Sequence, residues 1–336
     1  MKDKNLKRYY IILSIILILL IFTSLAVGKF EISKRDLLGI LKNTLSNRLS
    51  MDDIETFVIF SVRLPRILMA ILVGSGLAVT GVGMQAIFKN PLVSPRILGV
   101  SAGASFGVAL GILINNNIVF IQLMAFLWGI VAVLLTYTIG KSNKSSSVIM
   151  LVLAGIIVSA VFTSLLSLVQ YSADVDTELP SIIYWLMGSL SGIEMRDVKA
   201  AFLPIVFSIG LLFMMRWKLN MLSLSDEEAE ALGLNVKLYR ILVIISATII
   251  SATAVSMCGM IGWVGLITPH IGRMIVGTDN EKLIPISIII GGIYLLLIDD
   301  LCRLMYSSEI PLSVLTALIG APVFGLLLKK TGGNWT

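Results

Sequence analysis

The only histidine of the chain, His270, lies in a hydrophobic segment where a polar side chain is costly. It stands in GMIGWVGLITPHIGR (259–273), directly after Pro269 and three residues before Arg273. Metal binding or acid–base catalysis would need further histidines, cysteines or carboxylates at suitable spacing, and this segment supplies none. We therefore expect Pro269 to start a short helix and His270 to bond nearby backbone there. Contact with a metal or a ligand is the alternative.

Two adjacent carboxylates, Asp299 and Asp300, are the other residues that could do chemistry. On a helix they point about 100° apart, so they do not form an aspartyl dyad. Asp299 and Arg303 are spaced i, i+4, which favours a local ion pair near the end of a helix. The sequence has no G-x-S-x-G, H-E-x-x-H or G-x-x-x-x-G-K-[ST] motif. It predicts no catalytic residue, no metal site and no cofactor.

Membrane-spanning helices must position these residues. The chain is 57% hydrophobic and 14% charged, with a mean hydropathy of +0.96. Uncharged hydrophobic stretches of about 20 residues, enough to cross a bilayer as a helix, recur along almost its whole length. We predict one all-α polytopic domain, 1–336, in which the eighth of ten spans is too short to cross alone. The spans are about 9–28, 62–87, 97–114, 118–140, 147–169, 197–215, 237–262, 267–277, 283–303 and 311–329.

Charge distribution indicates the orientation of the chain. With ten spans both termini lie on one side, and that side collects most of the Lys and Arg residues, Lys89 and Arg96 among them. Positive residues favour the cytoplasm, so both termini are expected inside. The segment 9–28 has the basic flank of a signal peptide, but its apolar core is longer and no A-x-A site follows. We expect a retained helix. The net charge of +6 needs no nucleic-acid partner to explain it.

Two short stretches suggest an internal repeat. AVTGVGM (78–84) and AVSMCGM (254–260) share the pattern A-V-[TS]-x-x-G-M, and a proline follows each within ten residues. They end spans two and seven, which cross in opposite directions, as in an inverted-topology repeat. The halves would be about 62–169 and 237–329. A chance match of small residues is the alternative.

The segment LNMLSLSDEEAEALGLNVKLYR (219–240) predicts a short helix at the cytoplasmic face. Ser225 can cap it, acidic residues fill its first turn, and Gly233 can end it. Its leucines suggest a surface for a partner protein, although a solvated loop helix is also consistent with the pattern. The residues available for docking are Leu222, Leu224, Ala229 and Leu232.

Several long motifs carry a resemblance to a known family. They are RLPRILMAILVGSGLAVTGVGMQAIFKNPLVSPRILGVSAGA (63–104), WLMGSLSG (185–192), LSLSDEEAEALGLNV (222–236), GMIGWVGLITPHIGR (259–273) and IDDLCRLMYSSEIPLSVLTALIGAPVF (298–324). Along nearly its full length the chain resembles the FecCD-type permease subunits of ABC importers for iron-siderophores, haem and cobalamin. Thr268, Gly272 and Asp300 depart from the common pattern, and they leave the identity of the ligand open.

The resemblance implies a type II ABC importer permease in the bacterial cytoplasmic membrane. It implies a second permease subunit, identical or homologous, two cytoplasmic ATPase subunits that hydrolyse ATP, surrounding lipid and an extracytoplasmic binding protein. An iron-siderophore complex is the expected cargo, with haem and cobalamin left open. An ion-coupled secondary transporter is the rival, but it would need a charged couple in mid-membrane. A structural subunit without transport would not explain the docking and coupling residues together.

The resemblance also assigns residues to functions. The coupling segment, 219–236, would contact the ATPase through Leu224, Ser225, Glu227, Glu228, Ala229, Leu232 and Gly233. Three outer arginines, Arg63, Arg66 and Arg303, would meet glutamates of the binding protein, although anchoring at lipid headgroups is the alternative. Two further assignments come from the residues themselves. Weakly polar side chains spaced near a helical period in the fifth span would line the translocation path, unless these hydroxyls only bond their own backbone: Ser159, Thr163, Ser164 and Ser167. Asn143, Ser145 and Ser146, before that span, would form an inner gate or a plain turn.

Overall fold

The computed structural model describes residues 3–28, 30, 32–33, 39–40, 53–141, 148–305 and 309–331, and every regular element in those ranges is helical. Seven helices are long and apolar enough to cross a membrane, and three shorter apolar helices bring the described segments to the ten expected. The all-α polytopic fold is thereby confirmed. The helices are α1 (Asp3–Ala26), α2 (Ile54–Phe88, with a π-helical stretch at Val58–Arg63), α3 (Val100–Ile114), α4 (Ile118–Gly140), α5 (Val148–Ser172), α6 (Glu178–Met187), α7 (Met195–Met214), α8 (Arg216–Leu222), α9 (Asp226–Ala231), α10 (Val236–Cys258), α11 (Val264–Val276), α12 (Asn280–Leu304) and α13 (Leu312–Thr331).

The centre of the bundle is α2, which packs against α7, α10, α11 and α12. In its most apolar stretch 83% of the residues are buried, whereas in that of α1, at the edge of the bundle, 11% are buried. Glycines allow this close packing: a Cβ at Gly74 would lie 2.3 Å from the carbonyl oxygen of Gly291 on α12. Membrane helices pack through such small residues because lipid provides no hydrophobic drive for their association.

Two short helices begin inside the bundle. A 3₁₀ turn, Pro95–Leu98, precedes α3, and a Cβ on Gly155 of α5 would lie 1.9 Å from the carbonyl oxygen of Ile97. The guanidinium of Arg96 lies beside Gly262, in the turn between α10 and α11. The expectation that Arg96 belongs to an inner loop is therefore wrong. The chain turns back into the bundle after α2, and charge counting along the sequence cannot detect such a turn.

The prediction that Pro269 starts a helix is also wrong, because α11 begins at Val264 and Pro269 lies in its second turn. Proline has no N–H, so the carbonyl of Gly265 lacks its helical donor. That carbonyl packs against α2, where a Cβ at Gly81 would lie 1.9 Å from its oxygen. His270 is consequently buried within α11, with its ring 5.9 Å from that of Phe324.

One helix, α6, has no counterpart in the sequence prediction. It lies between the fifth and sixth predicted spans and ends at Gly188, whose φ of +72° favours glycine. The carbonyl of Gly188 accepts a hydrogen bond from Leu312 at 3.0 Å, which ties the helix to the start of α13. With ten residues, α6 is too short to resemble a membrane span.

Candidate functional site: outer charge cluster and inner coupling segment

The start of α2 and the end of α12 share a buried ion pair, at the end of the bundle that the charge distribution predicts to be the outer one. Arg66 donates from Nε and Nη2 to the carboxylate of Asp299, at 2.8–3.0 Å, and from Nη1 to Glu309 at 2.9 Å. Asp299 is fully buried and Arg66 is 6% exposed. A bidentate arginine–carboxylate pair fixes the orientation of both groups, and burial makes the pair costly to break.

Arg303 extends this cluster to α1. Its guanidinium pairs with Asp300 and also donates to the hydroxyl of Ser24 on α1, at 2.7 Å. The expected ion pair between Asp299 and Arg303 is present at 3.6 Å, but Arg66 is the closer partner of Asp299. The sequence could not reveal this partner, because 233 positions separate Arg66 from Asp299.

Arg63 lies at the same end of the bundle, and it is 3% exposed. It donates hydrogen bonds to the backbone carbonyls of Leu25, in the last turn of α1, and of Phe30, which follows α1. The structure thus brings Arg63, Arg66 and Arg303 together at this one end of α1, α2 and α12. We call this group, with Asp299, Asp300 and Glu309, the outer charge cluster. Each of its arginines already has partners within the chain.

The coupling segment folds at the opposite end as predicted from its capping signals. Ser225 caps α9: its hydroxyl accepts from the backbone N–H of Glu228 at 3.2 Å and donates to the Glu228 carboxylate at 2.8 Å. The carboxylate also accepts from the backbone N–H of Ser225, which completes a capping box. Gly233 follows the helix with a φ of +81°. The Ser225 hydroxyl lowers the pKa of the Glu228 carboxyl below its usual range.

Asp226 anchors α9 to the bundle. Its carboxylate pairs with Lys89 after α2 at 2.8 Å and with Arg240 on α10 at 2.9 Å. Burial opposes ionisation of Asp226, but the hydrogen bonds from these two cations outweigh it and lower the pKa of the carboxyl. Neither pairing could be predicted from the sequence, because Lys89 and Arg240 lie 137 and 14 positions from Asp226.

The two faces of the coupling segment differ in exposure. Leu224, Glu227 and Leu232 are exposed, and Leu232 reaches 62%. Leu222 and Ala229 are buried in the hydrophobic core of the chain. The segment therefore presents a face of two leucines and acidic residues outward from the bundle, while its other face holds it against the bundle.

The candidate path residues lie along α5. Ser159 is partly buried, whereas Thr163, Ser164 and Ser167 are exposed on a face that is otherwise largely aliphatic. The hydroxyl of Ser167 donates to the carbonyl of Thr163 at 3.0 Å, so one of the four bonds its own helix. The gate candidates Asn143, Ser145 and Ser146 lie outside the described residues.

Known proteins share both this sequence and this fold. The profile of the FecCD transport family matches residues 16–330. The molybdate import system permease protein MolB of Haemophilus influenzae is 40% identical over 325 residues, 96% of each chain. The Fe(3+)-citrate import system permease protein YfmE of Bacillus subtilis is 37% identical, over 98% of this chain and 96% of that one. A solved structure of an ABC transporter in an inward-facing conformation superimposes with a TM-score of 0.86 at 38% identity, covering 96% of this chain and 99% of that one. The chain therefore belongs to the FecCD transport family and is a multi-pass permease of an ABC importer.

Proposed function

We propose that this chain is the subunit through which a metal-bearing cargo crosses the membrane, driven by two separate cytoplasmic ATPase subunits. The observation that carries the proposal is the coupling segment. Its capped helix is anchored through Asp226 to α10 and to the end of α2, and it exposes Leu224 and Leu232. A rigid helix with an exposed apolar face can transmit movement of a partner into the bundle.

The coupling proposal can be tested in proteoliposomes that contain the permease and its ATPase. Leu232→Asp should uncouple ATP hydrolysis from uptake, because it places a charge on the apolar face that would contact the ATPase. Leu238→Asp, at another exposed leucine beyond the segment, is the matched control. Uptake that is equal in both variants and the wild type would argue against the role of the coupling segment.

We also propose that the outer charge cluster receives an extracytoplasmic binding protein. Its support is the gathering of Arg63, Arg66 and Arg303 at one end of the bundle, where glutamates of a partner could exchange with Asp300 and Glu309. Arg303→Glu in nanodiscs should abolish docking of the binding protein, measured by surface plasmon resonance. Asp300→Asn disturbs the same ion pair but keeps the arginine, so it should still dock. Docking that survives Arg303→Glu would contradict the assignment.

Two cargoes have support. An iron-siderophore complex agrees with the sequence motifs and with the relative named for Fe(3+)-citrate. Haem and cobalamin are alternative cargoes that the same motifs allow. Molybdate is favoured by the 40% identity to the Haemophilus permease. ATP-dependent uptake of radioactive iron-siderophore, molybdate, haem and cobalamin, compared in the same proteoliposomes, decides between them. Accumulation of none of the four would refute the metal-bearing cargo.

The remaining assignments complete this proposal. Two permease subunits would enclose a path along the exposed face of α5 that carries Thr163, Ser164 and Ser167, with the gate at 143–146. Both termini would lie in the cytoplasm, in agreement with the positive charge on that side. The inverted repeat of 62–169 and 237–329 agrees with α3 and α11, two short helices that both begin inside the bundle.

A further inference from the structure

A cavity of about 210 Å³ lies where the two short helices begin. Its polar lining consists of Ser94, Arg96, Ser101 and Ser251, and Trp263 and Gly265 lie on its α11 side. None of these residues belongs to the outer charge cluster or to the coupling segment. The cavity is therefore a separate feature of the bundle.

The cavity lies deep in the bundle. Leu77, which also lines it, is at the middle of the α-helical part of α2, Leu64–Phe88. A Cβ at Gly265 would lie 2.9 Å from the carbonyl oxygen of Leu77, so the start of α11 is at the same depth. Water and ions reach such a depth only through a cavity or a path.

Two helix N-termini converge on the cavity. Ser101 is in the first turn of α3, and Gly265 is in the first turn of α11. Neither helix has a side-chain cap at its N-terminus. In α11 the N–H groups of Val264 and Leu266 already donate to the carbonyls of Gly262 and Trp263. The helix dipole still makes each N-terminus attractive to anions. Discontinuous membrane helices use this arrangement to bind anionic groups.

Two side chains add hydrogen-bond donors to the same cavity. Arg96 is exposed in the isolated chain, and no hydrogen bond or ion pair joins its guanidinium to another described residue. Ser251, on α10, is only 3% exposed, and its Oγ has no hydrogen-bond partner among the described residues. A cation at this depth faces water or a counter-charge. An anion in the cavity would supply that counter-charge and would accept from both donors.

We propose that this cavity binds a small tetrahedral oxyanion of the molybdate, sulfate or phosphate type, with Arg96 as its principal partner and Ser251 as a second donor. Pockets for drug-sized ligands usually span about 300–1,000 Å³, so this cavity suits a small anion better than an intact siderophore complex. The inference rests on the proposed transport function and narrows its cargo to the oxyanion class.

The test uses the transporter complex, purified in nanodiscs without nucleotide, with sodium molybdate as the probe. Isothermal titration calorimetry should detect saturable binding to the wild type, and sulfate should compete. Arg96→Gln should weaken binding about 10- to 100-fold, since it removes a charge-assisted hydrogen bond, and Ser251→Ala about three- to tenfold. Arg96→Lys should keep most of the affinity. Arg196→Gln, which removes an exposed arginine paired with Glu194, is the control and should leave affinity unchanged.

Two results would overturn the proposal: no saturable binding of molybdate to the wild type, or equal affinity in Arg96→Gln when its thermal unfolding matches that of the wild type. ATP-driven uptake separates this site from the transport function. If uptake proceeds but Arg96→Gln still binds normally, the site fails and the transport function stands. If binding depends on Arg96 but none of the four cargoes is taken up, the site stands and the proposed function fails.

Discussion

At the outer end of the bundle, Arg66 and Asp299 form a buried pair, whereas at the inner end the carboxylate of Asp226 holds α9 and is 47% exposed. The outer pair joins two long helices and is buried, so a lost partner is not readily replaced by solvent. The inner pair joins a six-residue helix to the bundle, and water can solvate the carboxylate when the pair opens. The comparison indicates that the contact between α2 and α12 costs more free energy to break than the contact that holds the coupling segment to the bundle.

Breaking the outer pair should have the largest effect. Asp299→Ala leaves the Arg66 guanidinium buried without its main partner, which costs about 3–5 kcal/mol. The free energy of unfolding of the purified permease in detergent measures this loss. Asp300→Ala is the matched control and should cost less, because Arg303 keeps Ser24 and Asp299 as partners. Equal losses in the two variants would show that burial does not distinguish them.

Removing the cap of α9 should have a local effect of intermediate size. Ser225→Ala removes the acceptor for the Glu228 N–H and should destabilise the helix by about 1 kcal/mol. Hydrogen exchange of residues 226–231 should accelerate about fivefold, with little change elsewhere. The hydroxyl of Ser223 bonds back to the carbonyl of Leu219 and caps nothing, so Ser223→Ala should leave this exchange unchanged. A global loss of stability in Ser225→Ala would contradict the local role.

Removing the carboxylate of Asp226, which anchors α9, should lower the free energy of unfolding still less. Asp226→Asn weakens the ion pairs with Lys89 and Arg240, and partly exposed pairs contribute up to about 1 kcal/mol. The free energy of unfolding should fall by no more than that amount, while ATP-driven uptake decreases. Glu230→Gln, at an exposed acidic residue in the same helix, should alter neither quantity. A loss of unfolding free energy as large as that of Asp299→Ala would show that the two ends of the bundle do not differ in the strength of their ion pairs.

The smallest effect should be that of pH. Because the pKa of Asp226 is lowered in the folded state, its contribution to stability is present above the ordinary carboxyl pKa of about 3.9 and disappears as pH falls through the folded-state value. The stability difference between wild type and Asp226→Asn should therefore be constant from about pH 8 to pH 5 and vanish only below about pH 4. A difference that changes near pH 7 would refute the lowered pKa.

Local signals predicted the coupling segment almost completely. Ser225, the acidic first turn and Gly233 are capping residues close together in the chain, and the capping box they form is local. In contrast, the prediction at Pro269 was wrong because proline is common in the first turn of a helix. In this chain the packing of the Gly265 carbonyl against Gly81 places Pro269 one turn later.

The sequence by itself determined the membrane class, the hydrophobic segments and the family, because these depend on composition, segment length and long continuous motifs. Only the tertiary structure decided which charged and polar side chains meet. Arg66 and Asp299, and likewise Arg96 and Ser251, lie far apart in the chain and come together through helix packing and a re-entrant turn. Periodicity and capping are local properties, whereas the position of a charge relative to a partner or a cavity depends on the whole bundle.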